Sequence, residues 1–199
     1  MLDLEDGERA VRTARKAIET YLKEGMRPDL SDEVPEKFKE ERGVFVTLNK
    51  NGNLRGCIGR PLPSQTLIDG LVDSAINAAT GDPRFPSVDI EELEDITIEV
   101  SVLTVPEKIE VEDPKKYPEE IEVTRDGLIA KCRGREGLLL PQVPMDHDWS
   151  CEEFLSQTCV KAGLSPDAWL EGEVEFEKFS AQVFEESEPG GEVVEKSFT

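Results

Sequence analysis

The chain has 199 residues, 37% of them hydrophobic, and a formal net charge of −21, because 44 acidic side chains outnumber 23 lysines and arginines. This length suits one large domain or two half-domains with a shared core. The charge argues against non-specific binding of nucleic acid or anionic lipid, and no apolar run approaches the ~20 residues of a membrane helix. Since the acidic start does not resemble a signal peptide, we expect a cytoplasmic protein with no membrane association.

The first predicted elements are a helix and a β-hairpin. Apolar side chains recur at helical spacing over residues 4–24, and Gly25 ends this helix. A polar connection follows. Two strand-like runs, residues 44–48 and 54–58, then flank Asn51-Gly52, which is the strongest short signal for a hairpin turn.

A second helix and a third strand follow the hairpin. Ser64 is placed to cap an amphipathic helix that Gly81 closes. Two prolines stiffen the next loop, residues 82–86. Residues 96–103 alternate between apolar and polar side chains, which predicts a strand with one buried face.

The second half of the chain repeats this order. Residues 128–132 and 138–140 are typical of a hairpin, Ser150 and Glu153 form a capping box for the next helix, and residues 173–185 form a long last strand. We infer a structural duplication in element order, although the two copies share no convincing residue identity.

The predicted fold class is therefore α+β, with duplicated hairpin-helix-strand units whose antiparallel sheets pack about a pseudo-dyad. A single domain, residues 1–186, contains two intertwined subdomains at about 44–105 and 121–185 together with the first helix. The Glu-rich residues 187–199 are predicted to form a mobile tail.

The segment with the most chemical information is Leu54-Arg55-Gly56-Cys57-Ile58-Gly59. Glycines permit close backbone approach, and exposed N–H groups in a tight turn can hold an anion. Arg55 and Arg60 bracket Cys57, and nearby cations favour the thiolate form of cysteine. Cys57 is therefore the best candidate nucleophile. The alternative is that Cys57 is a small buried strand residue and that the glycines serve a β-bulge.

Two further segments carry candidate groups. In the proline-stiffened loop, Asp82 and Arg84 either bind a substrate or cap the helix and pair with each other. On the following strand, Glu99 and Ser101 share one face. If that face meets Cys57, Glu99 is the natural general base, and otherwise the face is an ordinary solvated one.

Gln142 lies between two prolines, where the second repeat has its counterpart of the Cys57 turn, and its amide could orient a ligand. The only histidine, His147, is expected to be an exposed ring. We expect free cysteines and no metal site, because the chain has no C-x-x-C motif.

Several stretches together resemble the AMMECR family over about residues 4–186, and the chain is similar to its stand-alone archaeal members. The hexapeptide around Cys57 matches the hallmark of that family. The other matching stretches are Asp82-Pro83-Arg84-Phe85, Glu99-Val100-Ser101-Val102-Leu103, Gly137-Leu138-Leu139-Leu140-Pro141-Gln142-Val143, Phe154-Leu155, Thr158-Cys159, Lys161-Ala162-Gly163-Leu164 and Ala181-Gln182-Val183-Phe184.

This resemblance implies an α+β fold with a cleft between duplicated parts, and a hexapeptide that marks an active or binding site. It also implies that Memo-like or radical-SAM proteins act with the chain in trans, in a modification pathway, and it implies no particular cofactor. The site residues that it assigns are Arg55, Gly56, Cys57, Gly59, Asp82, Arg84, Glu99, Ser101 and Gln142.

Two functions stay open. In the first, the chain is an enzyme or enzyme component in which Cys57 is the nucleophile or contacts the ligand, Arg55 and Arg84 hold an anionic substrate group, and Glu99 transfers the proton. In the second, the chain is a non-catalytic binding or scaffold module that docks a protein. Nucleic-acid binding requires that Arg55, Arg60 and Arg84 form one basic patch.

Overall fold

The computed structural model describes residues 2–31 and 34–196 and has an α+β fold. The helices are α1 (Leu4–Glu24), α2 (Leu67–Thr80), α3 (Gln142–Asp146) and α4 (Cys151–Lys161). The strands are β1 (Val44–Lys50), β2 (Asn53–Arg60), β3 (Ile96–Leu103), β4 (Glu107–Lys108), β5 (Asp126–Cys132), β6 (Arg135–Leu139), β7 (Glu175–Glu186) and β8 (Val193–Lys196). Among the described residues, the structure has no helix that could span a lipid bilayer.

The chain divides into two compact units, each with its own core of buried apolar side chains. The first unit contains the described residues up to Leu103 together with residues 182–196, and the second contains Thr104–Ala181. Strand β7 therefore contributes residues to both units. The predicted subdomain of residues 121–185 runs past this boundary, because strand periodicity does not show on which core each part of a long strand packs.

Capping groups define the two long helices of the first unit. α1 begins after Asp3, whose carboxylate accepts the Asp6 N–H at 2.9 Å, and it ends at Gly25 as predicted. α2 begins after Thr66 and not after Ser64, because the Thr66 hydroxyl is the group that accepts an N–H of the first helical turn. Both helices bury an apolar face against the sheet of this unit.

In that sheet, β1 is the central strand and pairs antiparallel with β2 on one side and β3 on the other. Asn51 (φ 51°) and Gly52 (φ 75°) close the β1–β2 hairpin in the left-handed region, which confirms the predicted turn. The alternate residues Val44, Val46 and Leu48 are buried against the helices. The residues between them therefore belong to the opposite face of the sheet.

The described part of the predicted tail contains a strand that belongs to the first unit. Strand β8 pairs antiparallel with the end of β7, and only 5% of Val193 is exposed. Arg12 of α1 fixes the connecting turn by donating bonds to the carbonyls of Gly190 and Gly191 at 3.0 and 2.6 Å. Composition does not predict this strand, because the surrounding residues are rich in glutamate. The strand depends instead on the burial of one valine and on hydrogen bonds from an arginine of a distant helix. Residues 197–199 of the predicted tail lie outside the described residues.

The second unit is built around β5. This strand lies between β6 and β7, and β4 also pairs with β7. Arg133 (φ 48°) and Gly134 (φ 80°) form the β5–β6 turn. The Glu153 N–H donates to Ser150 Oγ at 3.2 Å, which confirms the predicted capping box of α4. The predicted proline-broken loop differs, because part of it forms the short helix α3.

In each unit, one glycine of the hairpin touches the end of a helix. A Cβ on Gly56 in β2 would lie 2.1 Å from the carbonyl oxygen of Ala78 in α2, and a Cβ on Gly137 in β6 would lie 2.2 Å from the nitrogen of Ala162 after α4. Both positions therefore require a residue without a side chain. The duplication of the units and the pseudo-dyad both stay predictions.

Candidate functional site

A β-bulge decides the direction in which Cys57 points. The pairing of β1 with β2 shifts by one residue next to Leu48, so that Arg55 is an extra residue in β2. Without this shift, Cys57 would pair with Val46 and face the helices. With it, Cys57 pairs with Thr47 and points to the opposite face of the sheet. The bulge thus turns the thiol out of the core of the first unit.

Cys57 belongs to a row of three side chains across the sheet. Thr47 pairs with Cys57 on one side and with Glu99 on the other, so the three share the face opposite the helices. Thr47 Oγ1 donates a hydrogen bond to Cys57 Sγ at 3.3 Å. Two strand spacings separate the backbones of Cys57 and Glu99 by about 10 Å. The structure therefore places the predicted nucleophile and the predicted base on one face, with a hydroxyl between them.

The adjacent row contains Gly59, Phe45 and Ser101. A Cβ on Gly59 would lie 2.2 Å from the Phe45 ring, so this glycine makes room for the ring. Ser101 is 5% exposed and lies on the same face as Glu99, as the alternation of the strand predicts. This row lies next to the Cys57 row on the same face of the sheet.

An ion pair between the buried Asp82 and the half-exposed Arg84 holds the backbone of Cys57 from the outer edge of β2. The Asp82 carboxylate accepts the Cys57 N–H at 2.9 Å, and Arg84 Nη2 donates to the Cys57 carbonyl at 3.3 Å. Asp82 also accepts Arg84 Nε and Nη2 at 2.9 and 2.7 Å. The Arg84 guanidinium holds the pKa of Asp82 well below its ordinary range. Both outward backbone groups of Cys57 are therefore bound, and the interpretation in which Asp82 and Arg84 pair with each other describes these contacts.

The Arg55 side chain donates hydrogen bonds to the segment that precedes β3. Its Nε and Nη2 donate to the two carboxylate oxygens of Glu92 at 3.1 and 3.0 Å, and Nη1 donates to the Pro86 carbonyl at 2.9 Å. Only 12% of the Arg55 side chain is exposed. These contacts hold Arg55 in place, because the bulge directs its side chain to Glu92. The contact of Arg55 with an anionic substrate stays a prediction.

The Arg55–Glu92 pair should make the free energy of unfolding depend on pH in the acid range. Hydrogen bonds from Arg55, and then from Lys50 and the Asp89 N–H, lower the pKa of Glu92 from 4.5 to about 2. A lowered folded-state pKa stabilises the protein above the unfolded value of 4.5, and this contribution is lost as the pH falls toward 2. Glu92→Gln should cost about 2–3 kcal/mol at pH 7 and should flatten the loss of stability between pH 5 and pH 2.

Urea unfolding at a series of pH values measures this effect. The exposed neighbour Glu91 supplies the control, since Glu91→Gln should leave the acid limb of the profile unchanged. If the wild type and Glu92→Gln lose unfolding free energy equally steeply between pH 5 and pH 2, this pair is not the cause of the loss.

The three arginines near Cys57 each meet a different carboxylate. The pairs are Arg55–Glu92 at 3.0 Å, Arg60–Asp73 at 3.9 Å and Arg84–Asp82 at 2.7 Å. Each cation is thus locally neutralised. These contacts give no support to the shared basic patch that nucleic-acid binding requires.

A lysine from β8 completes the charged part of this face. Lys196 Nζ donates to Glu99 Oε2 at 3.1 Å and to Glu185 Oε2 at 3.0 Å. The sequence prediction includes neither Lys196 nor Thr47. The alternation of residues 44–48 is the signal that places Thr47 opposite the apolar positions, but its pairing with Cys57 depends on the bulge. The signal for Lys196 is weaker, because its strand lies in a segment with the composition of a tail.

The remaining predicted groups lie in the second unit. Gln142 begins α3 there, and the exposed His147 follows that helix with its ring stacked on Trp149 at a centroid distance of 4.8 Å. Burial raises the pKa of Cys159 to about 11 and also raises the pKa of Cys151. Over residues 2–31 and 34–196, no group of three or more His, Cys, Asp or Glu side chains is arranged to hold a metal ion.

Known proteins match this chain over most of its length. The family model described as AMMECR1 matches residues 11–184. The chain belongs to the AMMECR1 family. A protein of Methanococcoides burtonii is 54% identical over 198 residues, which are 100% of this chain and 98% of that protein. A protein of Methanocaldococcus jannaschii is 51% identical and is covered to 98%. The crystal structure of the uncharacterised protein PH0010 from Pyrococcus horikoshii has a TM-score of 0.87 at 47% identity and covers 98% of both chains.

The AMMECR1 match contains the bulged strand and its supports. Cys57, Asp82, Arg84 and Glu99 all fall within residues 11–184, whereas Lys196 lies beyond them. This AMMECR1-family chain shares its fold with the solved relative from Pyrococcus horikoshii. Because the solved relative is itself described as uncharacterised, the chemistry of the site has to be argued from the residues.

Proposed function

We propose that the polar sheet face of the first unit is a thiol-dependent site and that this chain is an enzyme or an enzyme component. The observation that carries the proposal is how Cys57 is presented. A bulge turns its side chain out of the core, Asp82 and Arg84 fix its backbone, and the residue stays partly exposed. A fixed and accessible thiol beside polar side chains suits covalent or ligand-contacting chemistry.

Each group of the row then has a role. Cys57 attacks an electrophilic atom of the substrate or contacts the ligand through its sulfur. Thr47 donates a hydrogen bond to that sulfur and stabilises negative charge that develops there. Glu99, at the far end of the row, accepts a proton from substrate or water. Arg84, with 54% of its side chain exposed, is also able to meet an anionic substrate group.

We further propose that this chemistry belongs to a modification pathway in which Memo-like or radical-SAM proteins act in trans. The support is the resemblance of the hexapeptide and its companion stretches to the AMMECR family. The alternative is a non-catalytic scaffold that docks such a protein. It is favoured by one set of contacts, because Arg55, Gly56 and Gly59 all serve the packing of the first unit.

Alkylation rates test the thiol site. Iodoacetamide near neutral pH, followed by peptide mass spectrometry, should modify Cys57 fastest and Cys159 slowest. With its pKa raised from 9.0 to about 11, Cys159 holds about 100-fold less thiolate than an ordinary cysteine. Cys132 is the matched comparison, because it also lies partly buried on a strand. Thr47→Val should slow the labelling of Cys57 and leave that of Cys132 unchanged. Equally slow labelling of Cys57 and Cys132 would contradict the proposal.

The Cys57→Ser variant separates the enzyme from the scaffold. Its free energy of unfolding should stay within about 1 kcal/mol of the wild type, since serine keeps nearly the same size. Purification of both proteins from a native lysate, followed by intact-mass analysis, is the measurement. An adduct or bound metabolite on the wild type that Cys57→Ser lacks supports the enzyme. A stable protein partner held equally by both, with no adduct, supports the scaffold.

A further inference from the structure

The second unit contains a cavity that has no part in the Cys57 site. It has a volume of about 370 Å³ and lies between the β5–β6 hairpin and the segment that joins α4 to β7. A volume of this size holds a small organic molecule. All of its lining residues belong to Thr104–Ala181.

The charged side chains of this cavity balance each other. Two arginines of the hairpin, Arg133 and Arg135, line it together with two glutamates of the opposite segment, Glu171 and Glu173. A simple anion would meet both carboxylates, and a simple cation would meet both guanidinium groups, so each would be opposed by like charge. A molecule that carries one charge of each sign has a partner for both.

The exposed ion pair between Arg133 and Glu173 is able to open, so that a ligand with both charges takes the place of each partner. Arg133 Nη2 lies 2.5 Å from Glu173 Oε2, and these side chains are 76% and 54% exposed. Exposed pairs contribute little to stability and open at low cost. A ligand carboxylate then replaces Glu173 at Arg133, and a ligand ammonium replaces Arg133 at Glu173. Arg135 is held in place by its bond to the Gly163 carbonyl at 2.8 Å and has further donors in its guanidinium.

The hairpin turn fixes the position of Arg133. Its φ of 48° lies in the left-handed region, as does that of Asn51 at the matching position of the first hairpin. A two-residue turn of this kind requires that conformation. The turn therefore holds a residue with a guanidinium beside the cavity that this side chain lines.

Apolar side chains and a thiol also line the cavity. They are Leu164, Ala168, Val174 and Cys132, of which Ala168 and Val174 are buried. We propose that this cavity binds a free α-amino acid with an aliphatic side chain, whose carboxylate meets the arginines, whose ammonium meets the glutamates and whose side chain contacts the apolar residues.

L-Leucine is the probe for this proposal, and its two one-charge analogues are the comparison. Titration of the whole chain, followed by ¹H–¹⁵N NMR, should shift amide signals of the cavity segments and reach half-saturation at about 1 mM or below. N-acetyl-L-leucine and L-leucinamide should each bind at least about ten-fold more weakly, since each lacks one of the two charges. Inorganic phosphate should shift none of these signals at the same concentration.

Variants and a labelling experiment complete the test. Arg135→Gln and Glu171→Gln should each weaken leucine binding at least about ten-fold, while Lys116→Gln, at an exposed position of the same unit, should not change it. Leucine should also slow the alkylation of Cys132 and leave that of Cys57 unchanged, which reads out binding without any variant. The proposal is overturned if about 20 mM leucine shifts no amide signal of the cavity segments. It is also overturned if either one-charge analogue binds as tightly as leucine.

Discussion

Replacing Glu186 with glutamine should lower the free energy of unfolding by about 3–5 kcal/mol, because it removes the counter-charge of a buried arginine. The Glu186 side chain is fully buried, with 0% exposed, and accepts bonds from Arg15 Nε and Nη2 at 2.8 and 2.5 Å. It also accepts the Ile98 N–H at 3.0 Å. Arg15 is only 13% exposed, so in the variant its charge stays buried without a carboxylate.

Glu185→Gln is the matched control for this prediction. Glu185 lies on the same strand, but its side chain is 31% exposed and its partner Lys196 is 41% exposed. Its replacement should cost less than about 1 kcal/mol. Urea unfolding followed by circular dichroism measures both variants. Equal losses would mean that the burial of Glu186 is not the reason for its effect.

The second large effect is expected at the support of Cys57. Asp82→Asn should destabilise the chain by about 2–4 kcal/mol, since a buried carboxylate that accepts charge-assisted bonds becomes a neutral amide. Asp82 is 4% exposed and accepts bonds from the Cys57 N–H, the Arg84 N–H and the Arg84 guanidinium. The amide of Cys57 loses its charged acceptor, so its hydrogen exchange should become about ten-fold faster than the change in global stability alone predicts.

A double-mutant cycle with Arg84→Gln assigns this effect to the ion pair. The coupling energy between the two positions should be about 1–3 kcal/mol, because the double variant has no unpaired buried charge. Additive losses would instead mean that Asp82 acts through Cys57 alone. The cycle therefore distinguishes the two contacts that the carboxylate makes.

Local signals account for the parts of the fold that could be predicted. Asn51-Gly52 predicts its hairpin because both residues tolerate positive φ. Gly25 predicts the end of α1, and the Ser150 capping box predicts the start of α4, since each depends on residues within one helical turn. The predicted start of α2 is wrong by two residues for a reason that is also local. Ser64 and Thr66 both carry a hydroxyl that could cap the helix, and the sequence does not show which one does.

The candidate site depends on contacts between residues far apart in the chain, which explains why the sequence predicts its members better than their roles. The orientation of Cys57 follows from the bulge at Arg55, and Arg55 is held by Glu92, 37 residues away. The Cys57 N–H is bound by Asp82, 25 residues away. A hairpin drawn from the turn alone would pair Cys57 with Val46 and place the thiol in the core.

The same reason explains why the sequence does not predict strand β8. Residues 187–196 have few apolar side chains, and nothing within them requires a strand. Strand β8 forms because β7 offers a pairing edge and Val193 finds space in the first core. Lys196 reaches Glu99 as a consequence. Both events depend on partners that a local pattern does not contain.

The division of the chain has a consequence for its synthesis. Thr104–Ala181 is an insertion between two parts of the first unit, so a ribosome finishes this stretch before it adds Phe184 and Val193, which belong to the first core. The nascent polypeptide is thus able to fold its middle while α1 still lacks the late side chains that pack against it. Ribosome-associated chaperones would accordingly be expected to engage α1 longer than any other segment.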